Sequence, residues 1–301
     1  NLPGSERNAP VYGSTGGQAM SAHKNIGASV RARLLNRAKD SGSDYGLILT
    51  KYALERILYK LSVSRWRDAF LLKGALLFDL WFDQPHRPTR DIDLLGFGPS
   101  EVDDVAAVFR DVCVLACEDG MNFDATTVRA AEIRKEANYA GVRVTLLGIL
   151  DGARCAVQID VGYGDAITPE PERVSFPVLL EDMAAPVMRV YPAYTVVAEK
   201  YQAMVSLGMV NTRLKDYFDL WVLAKHVPFN PNILQEAIAA TFTRRGTPMP
   251  QELPLGLSDA FTQDGTKIQQ WKAFLNKNKL QAPPLNELVS ELRPLLWGKN
   301  V

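Results

Sequence analysis

The sequence predicts an α+β protein, with a mixed sheet and flanking helices in the N-terminal half and only helices in the C-terminal half. Two patterns lead there. Between residues 91 and 163, short segments alternate apolar and polar side chains, the period of a half-buried strand. After Pro192, apolar residues recur every three or four positions, the period of one helix face. A chain of 301 residues can hold two compact units. The change of pattern divides it into a flexible N-terminus over 1–25, an α/β domain over 26–190 and a helical domain over 191–301.

Residues 1–25 are rich in Gly, Ser, Asn and Pro and lack an apolar period, which predicts a loosely attached segment. Helical spacing runs from 26 to 61, with Leu54, Ile57, Leu58 and Leu61 on one face. Asp68 is placed to cap a further helix over 69–82, which is apolar nearly all round and therefore buried. Gly74 falls inside that segment, where glycine costs up to about 1 kcal/mol relative to alanine. Close helix packing and room for a ligand's phosphates both account for it. Residues 84–90 read as a loop, 91–97 as a strand and 101–118 as a helix in which Cys113 and Cys117 pack. Strands follow near 121–133, 141–150 and 153–163, the last two joined by the turn dipeptide Asp151-Gly152. The Pro-rich stretch 165–192 is extended, and helices follow over 193–207, 212–226, 231–243, 266–280 and 285–296.

Lys plus Arg total 34 and Asp plus Glu total 34, so bulk charge makes no case for nucleic acid or membrane. Local basic surface is another matter. Arg244, Arg245, Lys267, Lys272, Lys277 and Lys279 have little acidic company, which fits an RNA-backbone patch or a solvated helix face. Three cysteines are too few for a disulfide framework and lack the companions of a zinc site. No bilayer-spanning run or signal peptide is evident, so a cytoplasmic protein with no membrane partner is expected.

The chemistry begins with Asp91-Ile92-Asp93. In a strand, Asp91 and Asp93 share a face and Ile92 and Leu94 take the other. Adjacent carboxylates repel and resist desolvation unless a cation lies between them. Such a pair suits Mg²⁺ (or Mn²⁺), which combines one or two carboxylates with substrate phosphates. Asp160 falls on the polar side of Ala156–Gly162, opposite Val157, Ile159 and Val161. If that strand lies beside 91–97, three acids converge, as in sites that hold two metals. Asp160 would then bind a metal and could take the proton of an attacking hydroxyl.

On helix 193–207, Lys200 sits at the centre of the apolar side formed by Val196, Val197, Ala203, Met204 and Leu207. A buried ammonium calls for an anion such as a triphosphate, or else its stem snorkels to an edge. On helix 212–226, Asp216 and Asp219 are neighbours opposite the stripe of Leu214, Tyr217, Phe218 and Trp221. They could orient Lys200 or Arg213, contact a nucleotide, or simply pair on an exposed face. Arg87 and Arg90 flank the first acid pair, placed to bind phosphates or nearby acids.

Together these residues resemble the AbiEii/AbiGii family of nucleotidyltransferase toxins. The resemblance rests on Tyr52-Ala-Leu-Glu-Arg-Ile-Leu-Tyr-Lys-Leu-Ser62, Leu72-Lys-Gly-Ala-Leu-Leu77, Arg87-Pro-Thr-Arg-Asp-Ile-Asp-Leu-Leu-Gly96, Glu199-Lys-Tyr-Gln-Ala203 and Arg213-Leu-Lys-Asp-Tyr-Phe-Asp219, and it spans about 28 to 226. It implies a DNA-polymerase-β-like core and a metal-dependent enzyme of abortive-infection and toxin–antitoxin systems, countered by a separately encoded AbiEi-like antitoxin. An NTP would be the donor and the 3′ end of tRNA the acceptor. Nucleotide transfer to a protein or small-molecule hydroxyl, and a non-catalytic NTP-binding regulatory module, remain the alternatives.

By position, the resemblance implies that Asp91 and Asp93 are the metal acids and that Lys200 holds the triphosphate. It makes Asp216 the later essential acid and Gly74 part of the glycine motif behind the phosphates. Arg90, Arg213 and Asp219 complete the expected nucleotide contacts, and Asp160 is added as third acid from strand parity. The wider superfamily has Gly-Ser where this chain has Gly74-Ala75, so no hydroxyl at 75 grips a phosphate.

Overall fold

The computed structural model describes residues 17–82, 87–135 and 139–298. Helix α1 (Gly17–Asp40) leads to α2 (Tyr45–Val63). Gly42 turns the chain between them with a positive φ of 62°, and Asp44 caps α2 by accepting from Leu47 N at 3.0 Å. The helical stretch expected from residue 26 is thus two helices, and the first begins at Gly17, inside the segment expected to be flexible; that expectation for residues 1–16 lies outside the described residues.

The helix expected over 69–82 is corrected. Phe70–Lys73 is strand β1, Gly74–Leu76 a 3₁₀ turn, and Leu77–Trp81 the short helix α3. β1 is buried along its whole length, so its sequence shows no alternation and resembles a buried helix. Gly74, with φ of 79°, ends the strand where an L side chain would be strained. β2 (Asp91–Gly96) and α4 (Val102–Cys113) follow, the helix ending well before residue 118 and leaving Cys117 beyond it. Then come β3 (Met121–Lys135), β4 (Tyr139–Leu150) and β5 (Ala153–Tyr163). The β4–β5 hairpin turns through Asp151 (φ 45°) and Gly152 (φ 79°), both left-handed as the tight turn requires. β6 (Glu172–Ser175) and β7 (Val187–Val190) lie in the stretch expected to be extended.

These strands form one seven-stranded mixed sheet, ordered β3-β4-β5-β2-β1-β7-β6, so β2 is its middle strand. β2 runs parallel to β5 and antiparallel to β1. Ile92, Leu94, Val144, Ile159 and Val161 point into the core, and each such burial contributes roughly 1.5–3 kcal/mol. Helix α2 covers this face: Cys155, on the core side of β5, meets Thr50 of α2.

The phrase Tyr52–Lys60 anchors α2 to its surroundings. Tyr52 donates to Asp119 O at 2.7 Å, and Lys60 Nζ donates to Leu115 O at 2.8 Å, beyond the end of α4. Glu55 accepts from Leu179 N at 2.6 Å and pairs with Arg56, which donates to Ala184 O at 2.9 Å.

The rest of the described chain is helical: α5 (Ala193–Leu207), α6 (Leu214–His226), α7 (Pro231–Arg244), α8 (Asp259–Thr262), α9 (Gly265–Asn278) and α10 (Leu285–Trp297). Only the single-turn α8 has no counterpart in the sequence pattern. Among the described residues no helix is long and apolar enough to cross a membrane.

Candidate active site

One rung of the sheet gathers four charged residues. Lys73 of β1 pairs in register with Asp93 of β2, Asp93 with Asp160 of β5, and Asp160 with Arg143 of β4. Residues so paired share a face, and Asp91 lies on that face two residues before Asp93. Both β2 carboxylates are half-buried, and Asp91 accepts from Thr89 Oγ1 at 2.6 Å.

Gly74 backs Asp93. A β-carbon there would stand 2.8 Å from both Cβ and Cγ of Asp93, and closer still to Oδ2. The glycine therefore makes room for the carboxylate itself. Two carboxylates on one strand face fit a hard divalent cation whose remaining ligands are substrate and water oxygens.

Asp160 is differently placed. It is buried, and Arg143 grips both its oxygens, Nε to Oδ1 at 2.8 Å and Nη2 to Oδ2 at 2.9 Å. Among the described residues no group of three or more His, Cys, Asp or Glu is gathered to hold a metal.

Across from the acids lies a buried cationic group. Lys200 donates to Asp216 Oδ1 at 2.6 Å and to Asp219 Oδ2 at 2.8 Å. Arg87 forks onto Asp219 at 2.9 and 3.1 Å, and Arg213 pairs with Asp216 at 2.7 Å. Both acids are essentially inaccessible, whereas Lys200 and Arg87 keep 13% and 12% side-chain exposure. The anion demanded by the apolar position of Lys200 is thus supplied by the protein.

Burial opposes the charge of Lys200, but Asp216 and Asp219 outweigh it and hold its pKa above the usual lysine value. Burial likewise opposes the charge of Arg87, which Asp219, Asp216 and, from β2, Asp91 favour. Among the described residues Lys200, Arg87 and Arg213 thus gather on Asp216 and Asp219, and the Lys200 ammonium makes two of its three possible bonds to them.

A second charged cluster adjoins the first. Lys73 donates to Asp165 at 2.8 Å, and Arg245 reaches Asp165 at 3.0 Å, Glu199 at 3.3 Å and Gln202 at 2.9 Å. Burial pushes the Glu199 carboxyl up. It acts the same way on Asp165, but Lys73 and Arg245 prevail and hold that group down to about 2. Glu199 and Lys200, adjacent on α5, thus serve different clusters.

Other expected residues are scattered. Arg90 is exposed on the loop before β2, and it is Arg87 that enters the buried group. The suspected basic patch dissolves: Arg245 is in the second cluster, Lys267 is buried and donates to Asn211 O at 2.8 Å, and Arg244 donates to Gly164 O. Lys272, Lys277 and Lys279 stay exposed. Sequence reasoning missed Lys73, Arg143 and Asp165, and read Arg245 only as part of a basic run. Of these, Arg143 had a signal, since counting outward from the Asp151-Gly152 turn brings 143 opposite 160.

The family model described as nucleotidyl transferase AbiEii toxin, type IV TA system, matches residues 56–293. Among solved structures, JHP933 from Helicobacter pylori is similar, at 17% identity and a TM-score of 0.48, over 83% of this chain and 89% of that one. A protein provisionally assigned as a nucleotidyltransferase from H. pylori is similar at 17% identity and a TM-score of 0.47, over 81% and 90%. No protein of curated function matches. The family match extends from α2 to α10, through every element that lines the site, and the chain belongs to the nucleotidyl transferase AbiEii toxin family of type IV toxin–antitoxin systems.

Proposed function

We propose that the chain transfers a nucleoside monophosphate from an NTP to the 3′ end of a tRNA, blocking translation, and that an AbiEi-like antitoxin counters it. The observation that carries this is the nearness of two unlike charge groups: the half-buried Asp91–Asp93 pair backed by Gly74, and the cations Lys200, Arg87 and Arg213 held on Asp216 and Asp219, with Arg87 within the field of Asp91. An NTP bridges them naturally, a cation at the acids and its phosphates toward the lysine. The α/β half (26–190) supplies the acids and the helical half (191–301) most of the cationic clamp.

Asp91 and Asp93 would hold the ion, Mg²⁺ or Mn²⁺. When bound, it supplies charge neutralisation between the carboxylates and the phosphates. The acceptor hydroxyl gives up its proton to solvent as its oxygen forms the new bond to the α-phosphorus, the α–β phosphoanhydride breaks, and pyrophosphate leaves. Lys200 and Arg213 stabilise the charge that grows on the pyrophosphate. Asp216 and Asp219 keep those cations in place; being buried, they act through Lys200, Arg87 and Arg213.

Incubation with each labelled NTP and total RNA tests the reading. Label in tRNA, lost with Asp93→Asn, supports it. Label confined to protein or small molecules would replace the acceptor, and growth arrest undiminished by Asp93→Asn would sink catalysis at this site.

A further inference from the structure

The bond between Arg143 and Asp160 leaves something over. A guanidinium has five N–H donors, and Asp160 takes one from Nε and one from Nη2. Three remain on a side chain that is 43% exposed and stands one strand beyond Asp160 on the rung of Asp93. The sheet around it is open: Thr145, Ala156 and Ala131 are exposed, and Gln158 is half-buried. Asp160 itself is 5% exposed and has both oxygens engaged by the fork, so it offers a cation little. This pair is built to present a fixed, planar cation to an anion lying on the open sheet beside the acids. Arginine forks match phosphate geometry.

We infer that Arg143, held in place by Asp160, binds a backbone phosphate of the acceptor strand next to the reacting 3′ hydroxyl, and that Asp160 is a positioning residue for Arg143 rather than a metal ligand. The inference rests on the proposal that the acceptor is an RNA end. It divides the acids of the rung: Asp91 and Asp93 serve the donor nucleotide, Asp160 the acceptor.

Two measurements on the full chain test it. In the first, Mn²⁺ binding is followed by the electron paramagnetic resonance of the free ion. Asp160→Asn and Arg143→Ala keep the intact affinity within roughly threefold, whereas Asp93→Asn loses at least about tenfold. Loss in Asp160→Asn as large as in Asp93→Asn would make Asp160 a metal ligand and overturn the assignment.

In the second, a short single-stranded RNA with a free 3′ hydroxyl is titrated at several salt concentrations. Arg143→Ala weakens binding about 10- to 100-fold and flattens the salt dependence by about 0.7 in log–log slope, the signature of one lost phosphate contact. Arg143→Lys recovers part of the affinity, and Asp160→Asn weakens it roughly tenfold through the freed arginine. NTP affinity is unchanged in all three. RNA affinity and slope unaltered in Arg143→Ala would overturn the proposal while leaving the RNA acceptor standing. An intact chain that binds no RNA while labelling another acceptor would remove both.

Discussion

Gly74 and Asp93 touch so closely that a side chain on the first would occupy the place of the second: a β-carbon on Gly74 would stand 2.8 Å from Asp93 Cγ. The φ of 79° at Gly74 adds a conformational reason for glycine. Gly74→Ala is therefore expected to cost about 1–2 kcal/mol from the backbone alone, and to push the Asp93 carboxylate off its position. Mn²⁺ affinity should fall at least about tenfold. Unchanged metal affinity in a folded Gly74→Ala protein would show that the glycine does not set the acid.

Lys200 is a structural residue as well as a candidate phosphate ligand. Lys200→Met leaves Asp216 and Asp219 buried with one cation fewer, and should cost about 3–5 kcal/mol by denaturant titration. The double variant Lys200→Met/Asp216→Leu should recover part of that stability without recovering NTP affinity, because Asp219 keeps Arg87 and Arg213 is 38% exposed. Recovery of both would mean that Lys200 does not contact the nucleotide.

Acid sensitivity should trace to Asp165. Its folded pKa, held down to about 2 by Lys73 and Arg245 against the opposing effect of burial, lies below the roughly 3.9 expected of an unfolded aspartate. A depressed carboxyl adds stability that is fully present above the unfolded value and is lost as pH falls through the folded one. The stability difference between intact protein and Asp165→Asn should accordingly shrink from pH 5 to pH 2. A difference that stays constant across that range would place the acid sensitivity elsewhere.

Glu55→Gln tests the anchoring role of α2. Arg56 would remain buried with a weaker partner, and the bond from Leu179 N would lose its charge. Stability should drop by about 3 kcal/mol, while NTP affinity stays within roughly twofold because the site is remote. A large change in NTP affinity without a change in stability would contradict that role.

Period and parity made much of this legible in advance. Ile92 and Leu94 against Asp91 and Asp93 gave the middle strand and its polar face, and Asp151-Gly152 gave the hairpin that brings Asp160 into line. β1 escaped because burial on both faces removes the alternation that marks a strand, so Phe70–Lys73 passed for helix. Lys200 was rightly placed on an apolar side. Its partners came from another helix, and Asp216 and Asp219 were among the residues read as able to orient it. Asp165 was invisible and Arg245 was read only as part of a basic run, because they meet Lys73 and Glu199 only when a loop, a strand and two helices close around them. The basic run near 244–279 misled because charge counted along the chain does not distinguish Lys267, buried on a backbone carbonyl, from a solvated lysine.

The rung Lys73–Asp93–Asp160–Arg143 also bears on how the chain finds its pairing. A one-residue slip of any of these four strands would carry its charged residue from the open face into the apolar layer beneath α2. Buried there without its partner, a single carboxylate or guanidinium would cost several kcal/mol. Misaligned sheets are thus penalised by the same charged row that forms the candidate site. That row acts as a ruler during folding, so a neutral substitution on it should loosen strand alignment.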